Sequence, residues 1–270
     1  MLRNLREIEG FAIGATDGDI GIVKDFYFDD DTWVLRYFVV ETGTWHDNRR
    51  VLISPYAIGT PDWSGRRLPA ALTRKQVENG PDIDTDKPVS RQHEMGYLGY
   101  YGYPNYWGGG GLWGAGFYPD ILQAGMGPGA IGDGNAGGSD HTPSRRLHSK
   151  GHQDDLHLRS ANSVMRYYVH ATDGDVGHVQ GVLVDETSWA IRYMIVNTSN
   201  WWLGHEVLIA PEWIDHFDWL DSKLVVALSR ESVKNAPVYD SKQPLDREQE
   251  AVLHAYYGKP GYWPVEGSRK

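Results

Sequence analysis

The sequence predicts a mainly β protein: two small β-barrels with short C-terminal helices, joined by a linker rich in glycine and aromatic residues. Three observations predict it: a long internal repeat, short β-branched and aromatic runs punctuated by Asp-Gly and Pro, and hydroxyl-led polar segments that open helices.

Ala15-Thr16-Asp17-Gly18-Asp19-Ile20-Gly21 recurs as Ala171-Thr172-Asp173-Gly174-Asp175-Val176-Gly177, and the step from Thr16 to Thr172 is 156 positions. The shift holds without a gap through Trp33/Trp189, Arg36-Tyr37/Arg192-Tyr193, Val51-Leu52-Ile53/Val207-Leu208-Ile209, Pro55/Pro211 and Asp62-Trp63/Asp218-Trp219. It extends to Tyr100-Tyr101-Gly102/Tyr256-Tyr257-Gly258, and about two in five aligned positions from Phe11 to Trp107 are identical. The period far exceeds that of stacking repeats, so each copy is expected to be a domain with its own modest core.

Within a copy, Asp17-Gly18 and Asp173-Gly174 are turn dipeptides, because glycine tolerates the positive φ of a tight hairpin. They separate a short apolar strand, residues 11–13, from an alternating one, residues 20–28. Asp29-Asp30-Asp31-Thr32 makes the next turn, and residues 33–40 make a β-branched and aromatic strand. Val51-Leu52-Ile53 is a fourth strand, stopped by Pro55, and residues 68–72 are a fifth whose Pro69 places it at an edge. Thr73 and Ser229 begin short helices; Thr73 and Gln76 have capping-box spacing, as do Asp246 and Gln249 ahead of a longer helix towards Tyr256. The predicted division is domain 1 over residues 1–94, an aromatic tail and linker over 95–155, domain 2 over 156–250, and a helix end with aromatic tail over 251–270.

These residues resemble the PRC-barrel domain family. The resemblance is carried by Leu158-Arg159-Ser160, Thr172 to Gly177, Asp185-Glu186-Thr187-Ser188-Trp189-Ala190-Ile191-Arg192-Tyr193, Trp201 and Val207 to Pro211, and by the same set in the first copy from Leu2-Arg3 to Pro55, with Trp45 matching Trp201. It implies a small bent β-barrel without shared catalytic residues. Family members dock onto membrane photosynthetic proteins in one branch and onto a ribosomal protein in another. The sequence lacks the membrane helix of the first branch, and a second barrel stands in place of the other branch's N-terminal domain, so neither partner carries over directly.

The formal net charge of −10 disfavours nucleic-acid binding, which needs cationic density to displace phosphate counterions. No apolar run approaches the roughly 20 residues that span a bilayer, and the charged start lacks a signal-peptide core, so a cytoplasmic protein is expected, with only peripheral contact to a membrane complex. The absence of cysteine excludes disulfides and thiolate chemistry.

The TDGD segments lack the oxygen spacing of a calcium loop and read as turns. Asp29-Asp30-Asp31 reads as a turn too, since its counterpart, Asp185-Glu186-Thr187, does not keep the charge. His148 and His152 have one-face helical spacing with His157 nearby, but their glycine- and serine-rich setting reads as linker. No catalytic residue, metal ligand or cofactor is therefore assigned. Trp33 and Trp189 read as core, with Arg36 and Arg192 covering rings. The tails retain aromatics that a free linker has no use for, and so pack on a barrel. The candidate interaction surface is Trp45, Trp201, Trp202, Tyr100, Tyr101, Trp107, Tyr256, Tyr257 and Trp263, by the enrichment of Tyr and Trp in binding hot spots. The expected function is a non-catalytic interaction scaffold whose two barrels pair as an intramolecular pseudo-dimer, with protein partners unnamed. The alternatives are a small-molecule or metal sensor, or an accessory factor in ribosome or RNA maturation.

Overall fold

The computed structural model describes residues 1–43, 48–81, 89–107, 109–119, 157–198 and 204–263. The first half runs β1 (Leu2–Asn4), α1 (Leu5–Ile8), β2 (Ala12–Ala15), β3 (Gly18–Asp29), β4 (Val34–Glu41), β5 (Arg50–Ile53), β6 (Arg67–Pro69), α2 (Arg74–Glu78) and α3 (Arg91–Tyr101). The second runs β7 (Leu158–Ser160), α4 (Ala161–Val164), β8 (Tyr168–Ala171), β9 (Gly174–Asp185), β10 (Ile191–Asn197), β11 (Glu206–Ile209), β12 (Ile214–Asp218), β13 (Lys223–Val226), α5 (Arg230–Lys234) and α6 (Arg247–Tyr256). The mainly β class and the two small sheets are those expected. Helix α3 passes through position 94 and α6 through position 250, so each aromatic tail continues a helix that starts on its barrel.

The sheets follow the orders β5-β4-β3-β2-β6 and β11-β10-β9-β8-β13-β12. Among the described residues these ladders stay open at both ends, and the long strands bend at register shifts instead, between Val23 and Asp25 in β3 for example. Pro69 lies in β6, the terminal strand that joins β2 in parallel, which suits a residue without an N–H to donate. The two hairpins share one register at the 156-residue step: Ala12 faces Ile22 and Ala15 faces Gly18, as Tyr168 faces His178 and Ala171 faces Gly174.

The hairpin aspartates do more than turn the chain. Asp17 Oδ1 accepts from Arg74 N at 2.7 Å and Asp173 Oδ1 from Arg230 N at 2.7 Å, so each turn fastens the first turn of α2 or α5. Gly21 and Gly177 lie where a Cβ would overlap the carbonyls of Glu41 and Asn197, which is why glycine recurs there. The expected helix starts are present: Thr73 and Gln76 form a reciprocal capping box, and so do Asp246 and Gln249.

Each sheet is completed by a strand from the other half. β1 pairs with β9, setting Arg3 opposite Val184, and β7 pairs with β3, setting Arg159 opposite Phe28. Side chains repeat the exchange: Arg3 meets Glu186 at 3.0 Å and Arg159 meets Asp30 at 2.7 Å. At the centre, Leu35 N donates to Trp189 O at 2.9 Å and Ile191 N donates to Trp33 O at 2.7 Å. Both tryptophans take a left-handed backbone, φ 57, which bulky residues adopt only when their surroundings impose it. Trp33 stacks between Phe28 and Phe217, while Trp189 meets Phe38 edge-on at 5.0 Å. Both therefore pack across the halves, and among the described residues one buried cluster spans both halves.

Asp25 anchors the β7–α4 corner, accepting from Ser160 Oγ at 2.6 Å and from Asn162 N at 3.1 Å. Burial raises its pKa above the ordinary 3.8 despite the hydrogen bonds of Ser160, Phe26 and Asn162, which favour the anion. A carboxyl raised on folding adds stability below its unfolded pKa and loses it as pH climbs through the folded value. Asp25→Asn removes the charge and keeps an acceptor for the two backbone N–H groups. Its stability relative to the parent protein should therefore improve from acid to neutral pH in urea titrations; a constant difference contradicts this account.

Candidate functional site

Helix α3 begins at Ser90, whose side chain accepts from His93 N, and stops at Gly102, which takes the left-handed conformation, φ 69. After that stop the chain turns back, bringing Tyr106 and Trp107 over the helix. In the second half, Tyr262 and Trp263 return over α6 in the same way.

Glu94 lies beneath the first tail, fully buried. Its Oε1 accepts from Tyr37 Oη at 3.1 Å and from Tyr106 Oη, and its Oε2 faces His157 Nε2 at 2.8 Å and Arg91 at 3.4 Å. With Glu94 ionised, the hydrogen toward Oε2 sits on His157 Nε2. Arg91 also donates to Tyr106 Oη at 3.1 Å and lies over the Trp107 ring at 4.4 Å. Glu250 repeats the arrangement, accepting from Tyr193 Oη at 3.0 Å and Tyr262 Oη at 2.8 Å, with Arg247 at 2.9 Å. Arg247 covers the Trp263 ring at 4.5 Å.

The histidines break the repeat. His157 belongs to the segment entering β7, so the first cluster is closed by a residue of the second half; the position matching it in the first half is Met1. The second cluster takes His254, from the position on α6 that matches Leu98. Its Nδ1 donates to Pro260 O at 2.8 Å and its Nε2 faces Tyr193 Oη at 3.0 Å.

Burial, followed by the neighbouring carboxylate, pushes the Tyr37, Tyr106 and Tyr193 phenols well above the usual tyrosine range, and burial pushes Tyr262 to about 12. These phenols stay protonated and donate to the carboxylates. Arg36, in β4 just past the Trp33 bend, is buried over the Tyr106 ring at 3.8 Å and donates to Leu112 O at 2.7 Å. It therefore covers a tail ring rather than Trp33. Burial lowers its pKa, opposed by Tyr106 and Asp29. The adjoining Trp113 is buried and donates from Nε1 to Ser188 O at 2.8 Å, tying the first tail to the second half.

The expected surface residues divide accordingly. Trp45, Trp201 and Trp202 lie outside the described residues, as do His148 and His152 and the linker beyond Pro119. Tyr100 and Tyr256 are partly exposed, yet their hydroxyls donate to Gln76 O at 3.0 Å and Ser232 O at 2.8 Å, holding α3 on α2 and α6 on α5. Tyr101 stacks on Tyr103, Tyr257 packs on Trp213, and Trp107 and Trp263 lie beneath arginines. The Asp29, Asp30 and Asp31 carboxylates lie close together, but Asp29 Oδ1 accepts from Asp31 N and Thr32 N and Asp30 pairs with Arg159. Asp185 makes the same turn with Thr187 and Ser188, so turn formation explains both segments.

Residues 2–61 match the family model described as PRC-barrel domain. Residues 2–61 are a PRC-barrel domain. The chain is also 32% identical over 81 residues to an uncharacterized protein of Deinococcus radiodurans, covering 30% of this chain and 29% of that protein. It thus spans less than a third of that relative's length. Among the described residues no helix is long and apolar enough to cross a membrane.

The clusters predict a directional result. Glu94→Ala strands two phenols and the His157 N–H in a dry site and should cost about 3–5 kcal/mol in urea unfolding. Glu94→Gln, which keeps acceptors for the phenols, should cost clearly less. Equal costs for the two variants contradict the polar-pin account.

Proposed function

We propose that the chain is a non-catalytic interaction scaffold in which the PRC-barrel domain of the first half and a second barrel of the same type form an intramolecular pseudo-dimer. The observation that carries this reading is the reciprocal strand exchange, since it makes each half incomplete without the other and fixes their relative orientation. A duplicated chain of this kind replaces a symmetric dimer by two surfaces that diverge separately. The buried carboxylates support the same reading: they pin aromatic tails and lie away from solvent. The partners are proteins, on the family resemblance, and peripheral docking to a membrane complex fits better than RNA binding at a net charge of −10.

A sensor is the second reading. It is favoured by a cleft of about 290 Å³ between the halves, lined by Tyr56, Trp63, Tyr118 and Trp189. A thermal-shift screen that finds a saturable ligand, lost in Trp63→Ala, supports it over the scaffold.

For the scaffold, sedimentation velocity should give a single compact monomer. Affinity purification from the native host should recover the same protein partners repeatedly. Two independently tumbling bodies, or no reproducible partner, overturn the proposal.

A further inference from the structure

A groove on the second half lies between α6 and the segment that follows α5. Tyr239 N donates to Glu206 O at 2.8 Å, so this segment runs along the outer edge of β11 and α6 forms the opposite wall. Buried Leu208 and Leu253 floor the groove, together with Pro237 and Leu245. Val238 and Val252 line it with 67% and 55% of their surface exposed, enough for each to gain by being covered. The volume is about 250 Å³, room for one or two inserted side chains.

Charge decides between occupants. Asp240 and Glu248 rim the groove, and neither forms an ion pair among the described residues. Past Tyr239 the groove continues into a depression of about 140 Å³ beside β1, where Glu7 is likewise unpaired. The cations there, Arg3 and the amino terminus, are engaged by Glu186, leaving Lys242 against three carboxylates. The helix of the first half does not repeat this surface: Gly96 matches Val252, Tyr97 matches Leu253 and Gln92 matches Glu248. The packed interior recurs in both halves, while Val252 and Glu248 of α6 have no apolar or acidic counterpart on α3.

We infer that this groove docks a short segment of a partner protein that inserts two aliphatic side chains and carries lysine or arginine on its flanks. The inference rests on the scaffold reading and gives that scaffold one recognition site. The aliphatic anchors supply affinity, and the rim selects against acidic segments by leaving like charges face to face.

The test uses the full-length protein on an array of synthetic peptides about twelve residues long, each with a leucine pair and either lysine or glutamate flanks. Lysine-flanked peptides should be retained about tenfold better than glutamate-flanked ones. Val252→Arg should abolish retention, and so should Val238→Asp; both sites are exposed, and circular dichroism checks that the variants fold. Asp240→Lys with Glu248→Lys should reverse the flank preference. Equal retention of both peptide sets overturns the inference, as does retention by Val252→Arg or self-association of the chain through this face. If Val252→Arg still recovers the native partners, the groove assignment fails and the scaffold reading stands; if the parent protein recovers none, the scaffold reading fails.

Discussion

The reciprocal hydrogen bonds between Trp33 and Ile191 and between Trp189 and Leu35 are the contact on which the rest of the architecture depends. They fix the two β-bends back to back, and the exchanged strands β1 and β7 then lie along β9 and β3. Backbone polar groups at these bends are buried and need partners. The N–H groups of Leu35 and Ile191 find theirs in the other half. The left-handed tryptophans fit the same logic, because a strained bend persists where neighbours on both sides determine it. Each half's core is therefore closed by the other half, and the halves share one apolar cluster.

The tails extend this economy of contacts to the polar interior. A buried carboxylate is costly unless its oxygens are fully hydrogen-bonded. Glu94 and Glu250 meet that demand with two phenols and an arginine each, and in doing so hold Tyr106 and Tyr262 over their helices. Histidine completes each cluster from a different place: the segment entering β7 in the other half in one case and the same helix in the other. The copies thus share the chemistry of the cluster and differ in which segment supplies the histidine. Trp113, reaching Ser188, makes the first tail part of the junction between halves. The two tails are alike in packing and unlike in what they connect.

Outside these shared features the halves part company. The groove beside α6, with Val238 and Val252 exposed above Leu208 and Leu253, has no counterpart in the residues of α3. A repeated sequence permits such divergence, because one copy keeps the common frame while the other changes its surface.

The sequence by itself determined the local grammar. The Asp-Gly turns, the strands β3 and β4, the edge role of Pro69 and the capping boxes at Thr73 and Asp246 follow from short-range rules of φ, hydrogen bonding and side-chain branching. It also contained the parts of the buried clusters, since Arg36, Tyr37, Arg91, Glu94 and Tyr106 all recur at the repeat spacing. Their grouping was not legible, because Tyr37 and Glu94 lie 57 positions apart and nothing local signals that a helix will fold its carboxylate onto that strand. The histidines were hidden for a further reason: His157 and His254 occupy unmatched positions, so comparing the copies conceals their common role. Nor could the sequence say which sheet Leu2 or Leu158 joins, as either strand has the same local pattern in its own half or the other. That choice belongs to the tertiary structure, where the packing of Trp33 and Trp189 across the junction and the bonds from Leu35 N to Trp189 O and from Ile191 N to Trp33 O bring β1 beside β9 and β7 beside β3.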